Sequence, residues 1–227
     1  MATFSSVKSN IKHIFVIIGA GLLLFLGIII ISINVFHFRV PVALRCYIES
    51  CLTVKEQLPA ENVDALYILG GSAHSMTHHI ERAANLFHNR KTKNLLLLDS
   101  QAKWHYEPEL GRNITRNELY IRMLVEKGVP KSCIDTIPVK EGFFGTLSEA
   151  RALEVYLRKN SLHSVILDSS PCHSRRVAFS FGHYLKRSGI NMYIASSEDA
   201  FSFRELILEA VKVFVYSALQ RILFAAT

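Results

Sequence analysis

Residues Leu162 to Phe181 read LHSVILDSSPCHSRRVAFSF, and this stretch decides the fold. Val165, Ile166 and Leu167 form an apolar run that stops at Asp168-Ser169-Ser170-Pro171, which predicts a buried strand ending in a polar loop. His173, Arg175 and Arg176 follow at once, and Val177, Ala178, Phe179, Phe181 and Tyr184 then recur at spacings that give a helix one apolar side. A strand feeding a polar loop and then a helix with cations in its first turn is where open α/β sheets bind ligands. Two arginines suit the positive end of a helix macrodipole poorly, so the pattern predicts an anion beside them.

The same unit recurs on either side. Val63 to Leu69 is an apolar strand running into Gly70-Gly71-Ser72, where glycine lets a ligand approach the backbone, and Thr77 to Asn89 follows as an amphipathic helix. Lys93 to Asp99 makes a second strand, ending at Asp99-Ser100. Gln101 to Thr115 reads as a long surface loop, and Arg116 to Lys127 as a helix closed by Gly128 with Pro130 beyond. A short strand over Ile134 to Val139 leads to Glu141-Gly142-Phe143-Phe144-Gly145 and a helix over Leu147 to Lys159, for which Thr146 and Glu149 have capping-box spacing. Met192 to Ala195 is a last strand and Phe201 to Phe224 a last helix. Alternating strands and helices predict an α/β sandwich on a mainly parallel sheet of about five strands. Its carboxyl rim gathers Gly70, Gly71, Ser72, Asp99, Ser100, Gly142 to Glu149 and Ser169 to Arg176.

Half of the 227 residues are hydrophobic, and the excess lies at the start of the chain. No charged residue occurs from Ile14 to Phe36, a run long enough to cross a bilayer as a helix, for which about 20 residues suffice. It exceeds the apolar core of a signal peptide and ends in no A-x-A-like site, so it reads as an uncleaved anchor. The organisation expected is a tail (1–13), a transmembrane helix (14–36), a membrane-proximal connector (37–62) with a short helix near Leu44 to Val54, and an α/β domain (63–227). The last helix is unusually apolar, but its charges argue against a second span. A cover on the sheet, bilayer contact and contact with a second copy all fit it.

The net charge is +7, of which +5 follows the span. That balance beside a membrane suits anionic head groups or phosphorylated lipids, whereas no dense basic run marks a nucleic-acid binder. Cys46, Cys51, Cys133 and Cys172 match no C-x2-C spacing; Cys46 and Cys51 suit a disulfide in an oxidising compartment or small apolar residues otherwise. His74 and His78 share a helical face with His79 beside them, but H-E-x-x-H is absent and no metal site is expected. G-x-G-x-x-G, the P-loop and the G-x-S-x-G elbow are missing too, so no cofactor is named. Ser72, Ser169 and Ser170 lack an identified orienting acid for nucleophilic work. Glu149 is either a helix cap or an acid/base group. Arg175 and Arg176 with His173 suit an anionic ligand, or one arginine forms a buried ion pair with Glu149 or Asp168.

Several pieces in order resemble the YdcF-like family, and within it the membrane-anchored SanA and ElyC type: DALYILGG (64–71), RAANLF (82–87), GVP (128–130), GFFGTLSEA (142–150), CHSRR (172–176) and the RE pair at Arg204 and Glu205. The chain has Asp99-Ser100-Gln101 where the family has a Ser-Gly-Gly-like turn, and Gly145 where many members have Asn. The resemblance implies a Rossmann-like domain on the outer side of a bacterial inner membrane, acting in cell-wall or surface-polysaccharide biogenesis. It also implies that Arg82, Thr146, Glu149, His173 and Arg176 line a ligand cleft. The expected ligand is anionic and phosphorylated, such as a polyprenyl-linked intermediate. Arg82, His173 and Arg176 would hold its phosphate, with Thr146 and Glu149 opposite. The alternatives are a non-catalytic scaffold for envelope-assembly proteins and a binder of S-adenosylmethionine or a nucleotide.

Overall fold

A computed structural model describes residue 27 and residues 41–70, 73–139, 145–197, 199 and 201–224. Apart from Gly27, the expected membrane span lies outside the described residues, as do Gly71, Ser72 and the Gly142 to Phe144 turn. Among the described residues no helix is long and apolar enough to cross a membrane.

Five parallel strands form the sheet: β1 (Val63–Ile68), β2 (Thr92–Leu98), β5 (Ile134–Ile137), β6 (Ser164–Ser169) and β7 (Asn191–Ser196), in the order β5-β2-β1-β6-β7. Six α-helices are described: α1 (Val42–Leu52), α2 (Ala73–His88), α3 (Arg116–Glu126), α4 (Gly145–Lys159), α5 (Pro171–Arg187) and α6 (Phe203–Phe224). The sheet is apolar on both faces, as a parallel sheet between helices must be. Leu66, Ile68, Leu95 and Leu97 face Ile80, Ala83, Ala84, Tyr120 and Leu124 of α2 and α3. Their alternates Ala65, Tyr67, Leu96, Val165 and Leu167 face Leu153, Leu157, Val177, Phe181 and Leu185 of α4 and α5. The result is the α/β sandwich read from the sequence, Rossmann-like in its strand order: numbered within the sheet alone, the strands run 3-2-1-4-5.

The register of β1 on β6 is pinned by a side chain. Asp64 Oδ2 accepts from the amides of His163 (2.8 Å) and Ser164 (2.9 Å) and from the Ser164 hydroxyl (2.8 Å). Burial pushes against the ionised carboxyl, but these bonds prevail and its pKa lies below the ordinary value.

Two local expectations are corrected. Gln101 to Thr115 is no loop: Lys103–Glu107 (β3) and Arg112–Thr115 (β4) pair antiparallel across a 3-10 turn, with Gly111 at φ +61°. The capping box belongs to α3. Thr115 Oγ1 accepts from the Glu118 amide at 3.2 Å, and Glu118 Oε2 accepts from the Thr115 amide at 2.7 Å. Helix α4 starts at Gly145, so Thr146 lies within its first turn. Gly128 closes α3 at φ +83°, a conformation glycine adopts without strain. All four cysteines are free thiols.

Candidate functional site

Strand order reverses between β1 and β6, and the carboxyl ends of β1, β2 and β5 open beside that point. There a cleft of about 450 Å³ is lined by Leu98, Asp99, Ser100, Gln101, Val139, Gly145 and Glu149. A recess of about 40 Å³ shares Leu98 and Ser100 with it and adds Gly70, Arg116, Asn117 and Tyr120. Gly70, Asp99, Ser100 and Glu149 therefore meet as the topology predicted.

Glu149 extends from the second turn of α4 towards the sheet, where the buried Tyr67 hydroxyl donates to its Oε1 at 2.5 Å. Burial raises the Glu149 pKa, and the Tyr67 bond and the charges of Arg176 and Arg116 only partly reverse that. Burial, reinforced by Glu149, holds the Tyr67 hydroxyl well above its usual range. A carboxyl whose ionisation is opposed by burial, at the mouth of a sheet, is suited to proton exchange with a ligand.

Arg116 is the cation lining this mouth among the described residues, and no motif in the sequence marks it. Its guanidinium lies 5.4 Å from the Trp104 ring centroid and 5.5 Å from that of Tyr120, and Nη2 donates to the Tyr120 hydroxyl at 3.3 Å. A Cβ at Gly70 would meet it at an ordinary van der Waals distance of 3.6 Å, so the end of β1 lies beside the guanidinium. Arg116 is the first residue of α3, at the positive end of its macrodipole, whereas Arg175 and Arg176, expected in the first turn of their helix, lie beyond it because α5 begins at Pro171.

The arginines singled out from the sequence, like Arg116, have partners within the protein. Arg82 pairs with Glu56, whose other oxygen accepts from the Ser196 amide at 3.2 Å. Arg175 donates to the carbonyls of Cys51 (3.1 Å) and Thr53 (3.3 Å), fastening the segment after α1 to α5. Arg176 pairs through Nε with Glu209 of α6 and donates through Nη1 to the Thr146 hydroxyl. His173 Nδ1 stands 3.0 Å from Glu209, and Lys212 3.3 Å. The buried partner of Arg176 is thus Glu209, neither Glu149 nor Asp168. Burial opposes the charge of Glu209, yet His173 and Arg176 bring its pKa down to about 2. His173 and Arg176 are joined to each other through this carboxylate and not through the cleft.

Ser169 and Ser170 are buried. Ser169 Oγ donates to the Ser170 carbonyl at 3.2 Å. Ser170 Oγ donates to Asp199 at 2.9 Å and lies 3.4 Å from His79 Nε2. His79 Nδ1 meets Asp168 Oδ2 at 2.8 Å, and the Ser197 hydroxyl donates to Asp168 Oδ1 at 2.7 Å. The imidazole that serves Ser170 is therefore His79 of α2, not the nearby His173. The two are 91 residues apart, so spacing could not reveal the pairing.

No family model matches the chain, and no curated protein matches it. Among solved structures it is similar to a UGT transferase from Siraitia grosvenorii solved in complex with UDP, at 14% identity and a TM-score of 0.35. That similarity covers 59% of this chain and 27% of the transferase chain.

Proposed function

We propose that the α/β domain binds an anionic, phosphorylated ligand at the cleft beyond β1, β2 and β5, and that it serves envelope biogenesis from the bilayer surface. The observation carrying this reading is the meeting of Arg116 and Glu149 at one mouth, with the first turn of α4 lining it. Arg116 supplies charge and planar donors for a phosphate, and its aromatic neighbours limit its rotamers. Glu149, whose ionisation burial opposes, lines the wall from which a proton could be exchanged with the same ligand. Residues 14–36 are the bilayer anchor of this reading, tethering the chain to the membrane in which polyprenyl-linked intermediates reside.

Arg176, His173 and Arg82 take a structural part in this reading, and the phosphate-holding role passes to Arg116. The test is mass spectrometry of small molecules retained by the full chain purified in mild detergent, with membrane fractionation of the same cells. A phosphorylated lipid-linked species retained by the wild type and lost from Arg116→Ala supports the reading. Recovery of the chain outside the membrane fraction, or retention of such a species by both proteins, contradicts it.

A further inference from the structure

We infer that Ser170 is a nucleophile, with His79 as its base and Asp168 as the positioning residue, in a centre that cleaves carboxylic esters. Three observations on β6, α2 and the segment after β7 carry this, independently of the phosphate reading. The first is the chain of contacts: Asp168 Oδ2 to His79 Nδ1 at 2.8 Å and His79 Nε2 to Ser170 Oγ at 3.4 Å. Acid, imidazole and hydroxyl stand in the order acyl transfer requires, and such contacts are often long in the unliganded state.

The second is that Asp168 is fixed. Its other oxygen accepts from Ser197 at 2.7 Å, and it is fully buried, so the carboxylate cannot rotate away from the imidazole. The third is what Ser170 does not do. It is the N-cap residue of α5, a position where serine ordinarily accepts from a helix amide, yet its side chain makes no cap bond. Its hydroxyl turns instead towards His79 and Asp199.

Asp199 explains how the centre rests. It is half-buried and lines a cavity of about 200 Å³ with His173, Phe201, Glu205, Leu208, Glu209 and Lys212, and its Oδ2 accepts from the Ser170 hydroxyl at 2.9 Å. An ester with an apolar acyl group entering along Phe201 and Leu208 displaces that carboxylate, and the proton is then shared with His79 Nε2. Ser170 Oγ bonds to the carbonyl carbon as its proton passes to Nε2. The ester C–O bond breaks as His79 gives that proton to the departing alcohol. Water then attacks the acyl-serine, His79 takes its proton, and the acid leaves as the proton returns to Ser170.

The test is an alkyl fluorophosphonate incubated with the purified full chain, followed by peptide mapping. Ser170 Oγ would bond to phosphorus and fluoride would leave. The expected result is an adduct on Ser170, absent in Ser170→Ala, slowed at least about 100-fold in His79→Gln, and formed several-fold faster in Asp199→Ala. Among the described residues, Asp168 from β6 contacts the imidazole directly, and Asp199 from beyond β7 faces the Ser170 hydroxyl that the imidazole also meets. Asp168→Asn should therefore slow labelling and displace its pH profile to lower pH, which a purely structural role would not do. An unlabelled Ser170 in the wild type, or His79→Gln labelling at the wild-type rate with unchanged melting, overturns the inference.

Discussion

Arg176 of α5 and Glu209 of α6 form an ion pair in which the acid is 1% exposed and the arginine 14%. The guanidinium also reaches Thr146 of α4, so one side chain joins three helices. Its Cζ lies 5.8 Å from the Tyr216 ring centroid. Removing Arg176 leaves the buried Glu209 carboxylate with only His173 and the exposed Lys212 beside it. Arg176→Ala is therefore expected to destabilise the domain by about 3–5 kcal/mol, read as a lowered melting temperature of the full chain. A loss below about 1 kcal/mol, the range of an exposed pair, would contradict this assignment.

Glu209 also predicts a pH dependence. Its folded pKa is depressed to about 2 from an ordinary 4.5, so its contribution is fully present above pH 4.5 and is lost as pH falls towards 2. Melting curves over that window should show wild type losing stability that Glu209→Gln lacks from the outset. Parallel curves for the two proteins would count against the pair.

Glu149 has the opposite sign. Its folded pKa is raised above 4.5, so the stability it contributes is present below that value and lost as pH rises through the folded pKa. Glu149→Gln, which still accepts from Tyr67, should melt higher than wild type at pH 7, with the gain gone by pH 4. A variant less stable than wild type at pH 7 would mean that the fold favours the carboxylate.

The start of α3 tests the reassigned capping box. Thr115→Ala removes the acceptor for the Glu118 amide and should cost about 1 kcal/mol. Thr115→Ser, which keeps the acceptor, should recover most of it in the same melts.

The central strands β1, β2 and β6 are legible as apolar runs bounded by polar or glycine residues, because burial on both faces leaves that mark in sequence. The edge strands β5 and β7 are only partly buried, and β5 carries an exposed Asp135. The β3 and β4 hairpin was not legible. Lys103 to Tyr106 are all exposed, so no alternation between a buried and a wet face separates them from a loop. The rim was readable as a set of strand ends, which is why Gly70, Asp99, Ser100 and Glu149 could be placed together. Pairings across the fold were not. Glu209 is an acid in an otherwise greasy helix, and nothing near it in sequence says that it faces Arg176. His79 invited comparison with His74 and His78, whereas its partner Asp168 is 89 residues away. Arg82 and Arg176 looked like ligand residues because their acids, Glu56 and Glu209, come from other elements.

The claim that an anion binds beside Arg116 is tested most directly by equilibrium binding of a radiolabelled polyprenyl phosphate to the full chain in detergent micelles. Saturable binding is predicted for the wild type, weakened by at least about tenfold in Arg116→Ala, in keeping with the loss of a charge-assisted hydrogen bond, and kept in Arg82→Ala. Binding that does not saturate, or that is equal in the wild type and Arg116→Ala, would contradict the account.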